Sequence, residues 1–90
     1  MKRILKYPLK IVDQQELVLY ADSKILSVEN QNESIVLYAL VEDCVRGIET
    51  HTVIIHGTGH DANDTVDCDF IGTVNMHSGR LMFHVFARRI

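Results

Sequence analysis

The stretch KILSVENQNESIVLYALV, residues 24 to 41, decides the fold of this chain. Its first part, residues 24 to 30, sets Ile25, Leu26 and Val28 among polar residues, and its second part, residues 34 to 41, is rich in β-branched and aromatic side chains. That enrichment favours strands over a helix of similar length. The polar residues 31 to 33 between the two parts are typical of a turn, so the stretch predicts an antiparallel hairpin.

Five further strands are predicted outside this hairpin, at residues 3–9, 16–21, 50–56, 68–75 and 80–89. Pro8 cannot donate a ladder hydrogen bond, so it fits an edge strand or a strand end. Gly72, inside its strand, predicts a bulge or a close backbone approach. The last strand is apolar on both faces, which predicts a central position in its sheet or a contact with another subunit. Six or seven strands without a convincing helix predict an all-β fold, either a small antiparallel barrel or a two-layer sandwich.

Ninety residues predict a single domain, residues 1–90, with a core of limited size. Association of several copies would add to that core, so a homo-oligomer is expected. The net charge is −3, with basic residues near both ends of the chain and acidic residues in the middle. If the terminal strands pair, the basic ends form one positive face; the alternative is charge that only keeps exposed strand positions soluble.

Several partners and compartments are disfavoured by the same composition. Duplex nucleic acid is disfavoured because no dense basic stripe with interleaved aromatic residues is present. No signal peptide and no transmembrane run can be found, so a soluble protein of the cytoplasm is expected. Cys44 and Cys68 lack a CxxC spacing and adjoin acidic residues, which favours reduced, unreactive thiols.

The segment THTVIIHGTGHD, residues 50 to 61, is the first candidate for a functional site. Glycines at two positions of its turn permit backbone conformations in which N–H groups face an anion. The predicted ligand site consists of this turn and two arginines: Gly57, Thr58, Gly59, His60, Arg80 and Arg88. The alternative is a tight turn whose glycines serve backbone geometry alone. The standard nucleotide-binding fingerprints are excluded because no helix pattern follows the glycines.

Metal binding and catalysis are weaker interpretations of the same segment. His51, His56 and His60 are the candidate metal ligands, but residues 51 and 56 face opposite sides of a strand, so no metal site and no cofactor are predicted. His60 with Asp61 or Asp64 has the composition of a base and the group that orients it. No activated nucleophile accompanies them, so an enzyme is not predicted.

The chain resembles a family of small tailed-phage proteins of uncharacterised function over nearly its whole length. The resemblance is carried by ILKYPL (4–9), KILSV (24–28), LYALV (37–41), GTGH (57–60), FIGTV (70–74) and FHVF (83–86). It implies an all-β protein of the host bacterial cytoplasm that acts by binding and antagonises host antiviral defence. One mechanism is sequestration of a small nucleotide-type signal in an oligomer, with the GTGH turn and Arg80, Arg88 or Arg89 holding phosphates. The alternatives are a protein–protein inhibitor of a host defence factor and a minor phage structural protein.

Overall fold

The computed structural model describes residues 1–90, which form seven strands and two 3-10 turns. The strands are β1 (Lys2–Pro8), β2 (Gln14–Tyr20), β3 (Lys24–Gln31), β4 (Ser34–Glu42), β5 (Ile48–Gly57), β6 (Asp69–Met76) and β7 (Leu81–Arg89). The 3-10 turns are Asn63–Thr65 and His77–Gly79, on either side of β6. No helix of the protein has the length and apolar character needed to cross a membrane.

The predicted hairpin of residues 24 to 41 is confirmed as β3 and β4. The two strands pair antiparallel, with Gln31 opposite Ser34. Asn32 and Glu33 between them both have positive φ, 53° and 62°, as a two-residue type I′ turn requires. A bulge separates Ile25 from Ser27, so Leu26 is an extra residue in β3. The bulge explains how two consecutive apolar residues fit a strand with one core face.

The seven strands form two antiparallel sheets, so the sandwich alternative of the fold prediction is the correct one. The first sheet has the order β1-β4-β3 and the second the order β2-β5-β7-β6. Each sheet has an inner face toward the other sheet and an outer face. The core is a cluster of 13 buried apolar residues from the inner faces of both sheets. In β4 these are the alternate residues Ile35, Leu37, Ala39 and Val41, and in β7 they are Val85 and Ala87.

The last strand lies centrally in its sheet, as its two apolar faces predict. It is paired on one side with β5 and on the other with β6. The terminal strands do not pair with each other, because β1 pairs with β4 in the other sheet. A strand that is apolar on both faces buries most apolar surface when it lies between two other strands. The charged strand β1, which ends at Pro8, suits the edge of a sheet. The strand pairing from which a single positive face was expected is therefore absent.

The two lateral sides of the sandwich differ. On one side β3 and β6 approach closely: a Cβ placed on Gly72 would lie 3.1 Å from Val28 Cγ2, and Asn30 Nδ2 donates to the carbonyl of Asn75 at 2.8 Å. The register shift between Phe70 and Gly72 confirms the bulge predicted in β6. On the other side the edges of β1 and β2 flank an open groove of about 330 Å³. The open groove is lined by Leu5, Tyr7, Val18, Leu19, Tyr20 and Ile48.

Candidate functional site

The GTGH turn follows β5 directly and closes on itself. The N–H of His60 donates to the carbonyl of Gly57 at 3.2 Å, so this donor does not face a ligand. Gly59 has a φ of +90°, the left-handed conformation that its residue type predicts. Gly57 has a different constraint: a Cβ there would lie 3.3 Å from the ring of His60. The turn is ordered, but much of its hydrogen-bonding capacity is used within the protein.

Thr58 and His60 point to different parts of the surface. The Thr58 hydroxyl lies 2.8 Å from His84 Nε2 on the outer face of the second sheet. The His60 ring instead lines a small groove of about 70 Å³, together with apolar residues of the β1–β2 link and of the inner faces of β5 and β7. The two side chains that were predicted to converge on one anion do not converge.

Arg80 and Arg88 lie at opposite ends of β7. Gly57 pairs with Phe83 and Thr52 with Arg88, so Arg80 is at the GTGH end of the sheet and Arg88 is at the other. Eight strand residues span about 27 Å. Within one chain, therefore, Arg88 is too distant to complete a site at the GTGH turn, and that part of the predicted ligand set is wrong for a single copy.

Arg88 lines a different cavity, a cleft of about 380 Å³ between the two sheets, which we call the end cleft. Its lining comes from the start of β3, from β5, from the start of β6 and from the end of β7: Ser23, Lys24, Ile25, His51, Asp69, Phe70, Ile71, Ala87, Arg88 and Arg89. Lys24, Arg88 and Arg89 supply three cationic groups, against the single carboxylate of Asp69. The Arg88 guanidinium forms an exposed ion pair, with Nη1 3.7 Å from Asp67 Oδ1.

A buried hydrogen-bonded pair, His51 and Glu49, lies beside the end cleft. His51 Nε2 is 2.5 Å from Glu49 Oε2, and the N–H of Ser23 donates to Glu49 Oε1 at 3.3 Å. Burial raises the pKa of the Glu49 carboxyl, but hydrogen bonds from His51 and from the backbone of Asp22 and Ser23 outweigh burial and hold that pKa below its ordinary value. The pair fixes the orientation of the His51 ring next to the cleft.

Two other histidines form a network on the outer face of the second sheet. His56 and His84 are directly opposite each other on β5 and β7. His56 Nε2 lies 2.7 Å from Asp64 Oδ1, while the two ring nitrogens of His84 contact the hydroxyls of Thr58 at 2.8 Å and Thr73 at 2.9 Å. The partner of Asp64 is thus His56 and not His60, so the weaker interpretation of Asp64 as the group that orients His60 does not match the structure.

The histidine network has contacts that resemble catalytic ones, but none of the three cavities is lined by these side chains. A threonine hydroxyl beside an imidazole is the geometry of an activated nucleophile. The far nitrogen of His84 contacts another hydroxyl, which stabilises an imidazolium less than a carboxylate would. No spacing along the sequence indicates this network. Residues 56 and 84 become neighbours only through the pairing of β5 with β7.

The three candidate metal ligands lie apart. His51 is on the inner face beside the end cleft, His56 is on the outer face with Asp64, and His60 is in the turn, so the alternation argument against a shared site holds. The one group whose possible ligand atoms lie within 4.8 Å of one another is Glu42, Asp43 and Cys44 at the end of β4. Both cysteines of the chain are free.

The fold and the end cleft define a class: a small antiparallel β-sandwich protein with a cationic cleft at one end of its two sheets. The chain belongs to the family of the domain of unknown function DUF7352, whose model matches residues 1–90. No curated protein and no solved structure matches the chain. The chemistry of the site therefore rests on its own residues.

Proposed function

We propose that this protein binds a small phosphorylated ligand of nucleotide type in the end cleft and acts by sequestering it. The observation that carries the proposal is the composition of the cleft: three basic residues, a histidine and a phenylalanine are among the residues that line one cavity of about 380 Å³. This concentration of positive charge occurs in a chain whose net charge is −3. Cavities of roughly 300 to 1,000 Å³ are the usual size for small-molecule sites.

Each lining group matches a part of a nucleotide. Arg88 and Arg89 leave β7 on opposite faces of the sheet, and each guanidinium has paired N–H donors that match phosphate oxygens; Lys24 adds a point charge. Phe70, which is 59% exposed, lies beside Phe86 with the two ring centroids 5.3 Å apart, and this aromatic pair offers a surface on which a base can stack. Asp69 repels a bare polyanion but accepts hydrogen bonds from a sugar hydroxyl or a base amino group. A nucleotide therefore fits the cleft better than inorganic phosphate does.

The biological role of such binding follows from the resemblance to small tailed-phage proteins. In the proposed role the protein is made in the host bacterial cytoplasm and withdraws a nucleotide-type signal of antiviral defence. Sequestration needs tight binding and protein in excess over ligand, but no turnover, so the proposal requires no catalytic group. In this proposal the GTGH turn does not bind the ligand. Its role is structural, since the Thr58 hydroxyl contacts the His84 ring.

The test compares two arginines on the same strand. Arg88→Met and Arg80→Met remove the same charge from opposite ends of β7 and leave a similar apolar stem. Calorimetric titration with AMP, a cyclic dinucleotide and inorganic phosphate is carried out on the wild type and on both variants. We expect a nucleotide to bind the wild type, Arg88→Met to weaken that affinity about ten- to hundred-fold, and Arg80→Met to leave it unchanged.

Two outcomes would overturn the proposed site. A loss confined to Arg80→Met would place the ligand at the GTGH turn, and an equal loss in both variants would mean that binding depends on net charge and not on the end cleft. Failure of every nucleotide to bind the folded wild type at millimolar concentration would end the sequestration proposal itself. Circular dichroism of each variant verifies that the sandwich is intact, since both arginines are on the surface.

A further inference from the structure

The open groove between β1 and β2 leaves apolar side chains uncovered. Val18 is 52% exposed and Ile48 is 72% exposed, and Tyr20 and the partly buried Leu5 and Tyr7 continue the same surface. The opposite lateral side of the sandwich is closed by Val28 against Gly72 and by the Asn30–Asn75 hydrogen bond. One side of a single core is therefore sealed, and the other is not.

The same side carries two unpaired strand edges. β1 pairs only with β4, and β2 pairs only with β5, so each has a free row of backbone N–H and C=O groups along seven residues. Free edges of this length beside apolar surface are templates for another strand. Two edges of equal length at one groove can accommodate two strands.

The two edges carry opposite charges. The outer row of β1 contains Lys2 and Lys6, and the outer row of β2 contains Glu16. A link of only five residues joins the end of β1 to the start of β2, so the two strands run in opposite directions. If a twofold axis parallel to the strands relates two copies, β1 of each copy therefore lies antiparallel to β2 of the other. The dimer then contains two such strand pairs.

We propose that two copies of this chain associate through the open groove, β1 of each pairing with β2 of the other. Antiparallel pairing with Ile4 opposite Val18 also sets Lys6 opposite Glu16 and Leu5 opposite Leu17. The three-stranded sheet of one copy then continues into the four-stranded sheet of the other, the inner-face residues Leu5 and Leu17 meet over the core, and Ile4 packs against Val18 on the outer face. Lys6 gives up only an exposed hydrogen bond to Gln31 at 2.8 Å.

Charge selects this arrangement over the other twofold one. An axis perpendicular to the sheets would pair β1 with β1 and bring Lys2 and Lys6 of the two copies together. Like charges directly opposite on neighbouring strands are destabilising, whereas Lys–Glu pairs are stabilising. The occupant with the complementary edges, at the matching spacing, is a second copy of this chain. The end cleft lies outside this interface, so the inference does not depend on the proposed ligand.

Sedimentation equilibrium tests the association. The wild type is expected to show a species of twice the chain mass of 10.3 kDa that dissociates on dilution. Val18→Arg should shift the equilibrium to the monomer, because it removes the Ile4–Val18 contact and places a positive charge diagonally opposite Lys2 and Lys6 of the other copy. Val66→Arg is the matched control, since Val66 is 88% exposed in the loop before β6, and it should associate like the wild type. A wild type that stays monomeric to millimolar concentration would overturn the proposal.

A pair of charge reversals tests the strand pairing itself. In the proposed dimer Lys6→Glu sets glutamate against Glu16 twice, and Glu16→Lys sets lysine against Lys6 twice. Each variant alone should therefore dimerise about ten-fold more weakly than the wild type. An equimolar mixture should form a heterodimer with near wild-type affinity, because every facing pair is then oppositely charged or native. Tighter self-association of Lys6→Glu alone would instead indicate β1–β1 pairing and would refute the arrangement.

Discussion

At the scale of single residues, the Glu49–His51 pair links the stability of the fold to pH. The Glu49 side chain is 7% exposed and accepts hydrogen bonds from the His51 ring and from the backbone of Asp22 and Ser23. Because these bonds hold the pKa of Glu49 below the ordinary value of 4.5, its contribution to stability is fully present above that pH. The contribution is lost as the pH falls through the lower pKa of the folded state. Stability should therefore decrease below about pH 4.5 as this carboxylate is protonated.

The variant Glu49→Gln isolates this effect. Replacing a buried acceptor of several hydrogen bonds should lower the free energy of unfolding at pH 7 by about 1–3 kcal/mol. Urea unfolding at a series of pH values should also show a shallower decline below pH 4.5 than in the wild type. Glu29→Gln, an exposed carboxylate on β3, is the control and should keep the wild-type profile. An unchanged acid decline in Glu49→Gln would show that other carboxylates govern it.

At the scale of strands, Gly72 determines how closely β6 approaches β3. A bulge precedes Gly72 in β6, and the missing side chain lets Val28 Cγ2 come within 3.1 Å of the position that a Cβ would take. Gly72→Val should lower the free energy of unfolding by about 1–3 kcal/mol, because the added methyl groups overpack this contact. Urea denaturation gives the value directly.

The second half of this prediction is a double-mutant cycle with Val28. Val28→Ala alone removes apolar contacts, but in the Gly72→Val background it makes room for the new side chain. The double variant should therefore be more stable than the sum of the two single effects implies, by about 0.5–3 kcal/mol. Strict additivity would mean that the two strands adjust without contact between these positions.

Strand positions could be predicted because their signals are local. Alternation, the polar turn before Ser34 and the glycine in β6 all act within a few residues. Which strands pair is a long-range property, so the sequence did not separate a sandwich from a barrel and left open whether the terminal strands pair. A local pattern shows which face of a strand is apolar. It does not show which strand lies beside it, because several strands could cover that face equally well.

The candidate site was less predictable than the fold for the same reason. The conformation of Gly59 follows from its residue type, but the position of Arg88 depends on the direction of β7 relative to β5. The end cleft brings together side chains from four strands in both sheets, including Lys24 and His51, which no spacing along the chain connects. Only the register between strands places them in one cavity.

At the scale of the whole molecule, one core joins the two sheets, and this predicts a single cooperative unfolding transition. Leu37, in the central strand of the first sheet, is fully buried at 0% exposure and belongs to the cluster that contacts both sheets. Leu37→Ala should lower the free energy of unfolding by about 2–5 kcal/mol. That is a large part of the roughly 5–15 kcal/mol typical of a folded domain. Val66→Ala, at an exposed loop position, should change it by less than about 0.5 kcal/mol.

In urea, far-ultraviolet circular dichroism and tyrosine fluorescence should give the same midpoint for the wild type, because neither sheet retains a core without the other. Separate midpoints would mean that the sheets unfold independently and that residues 1–90 are not one cooperative domain.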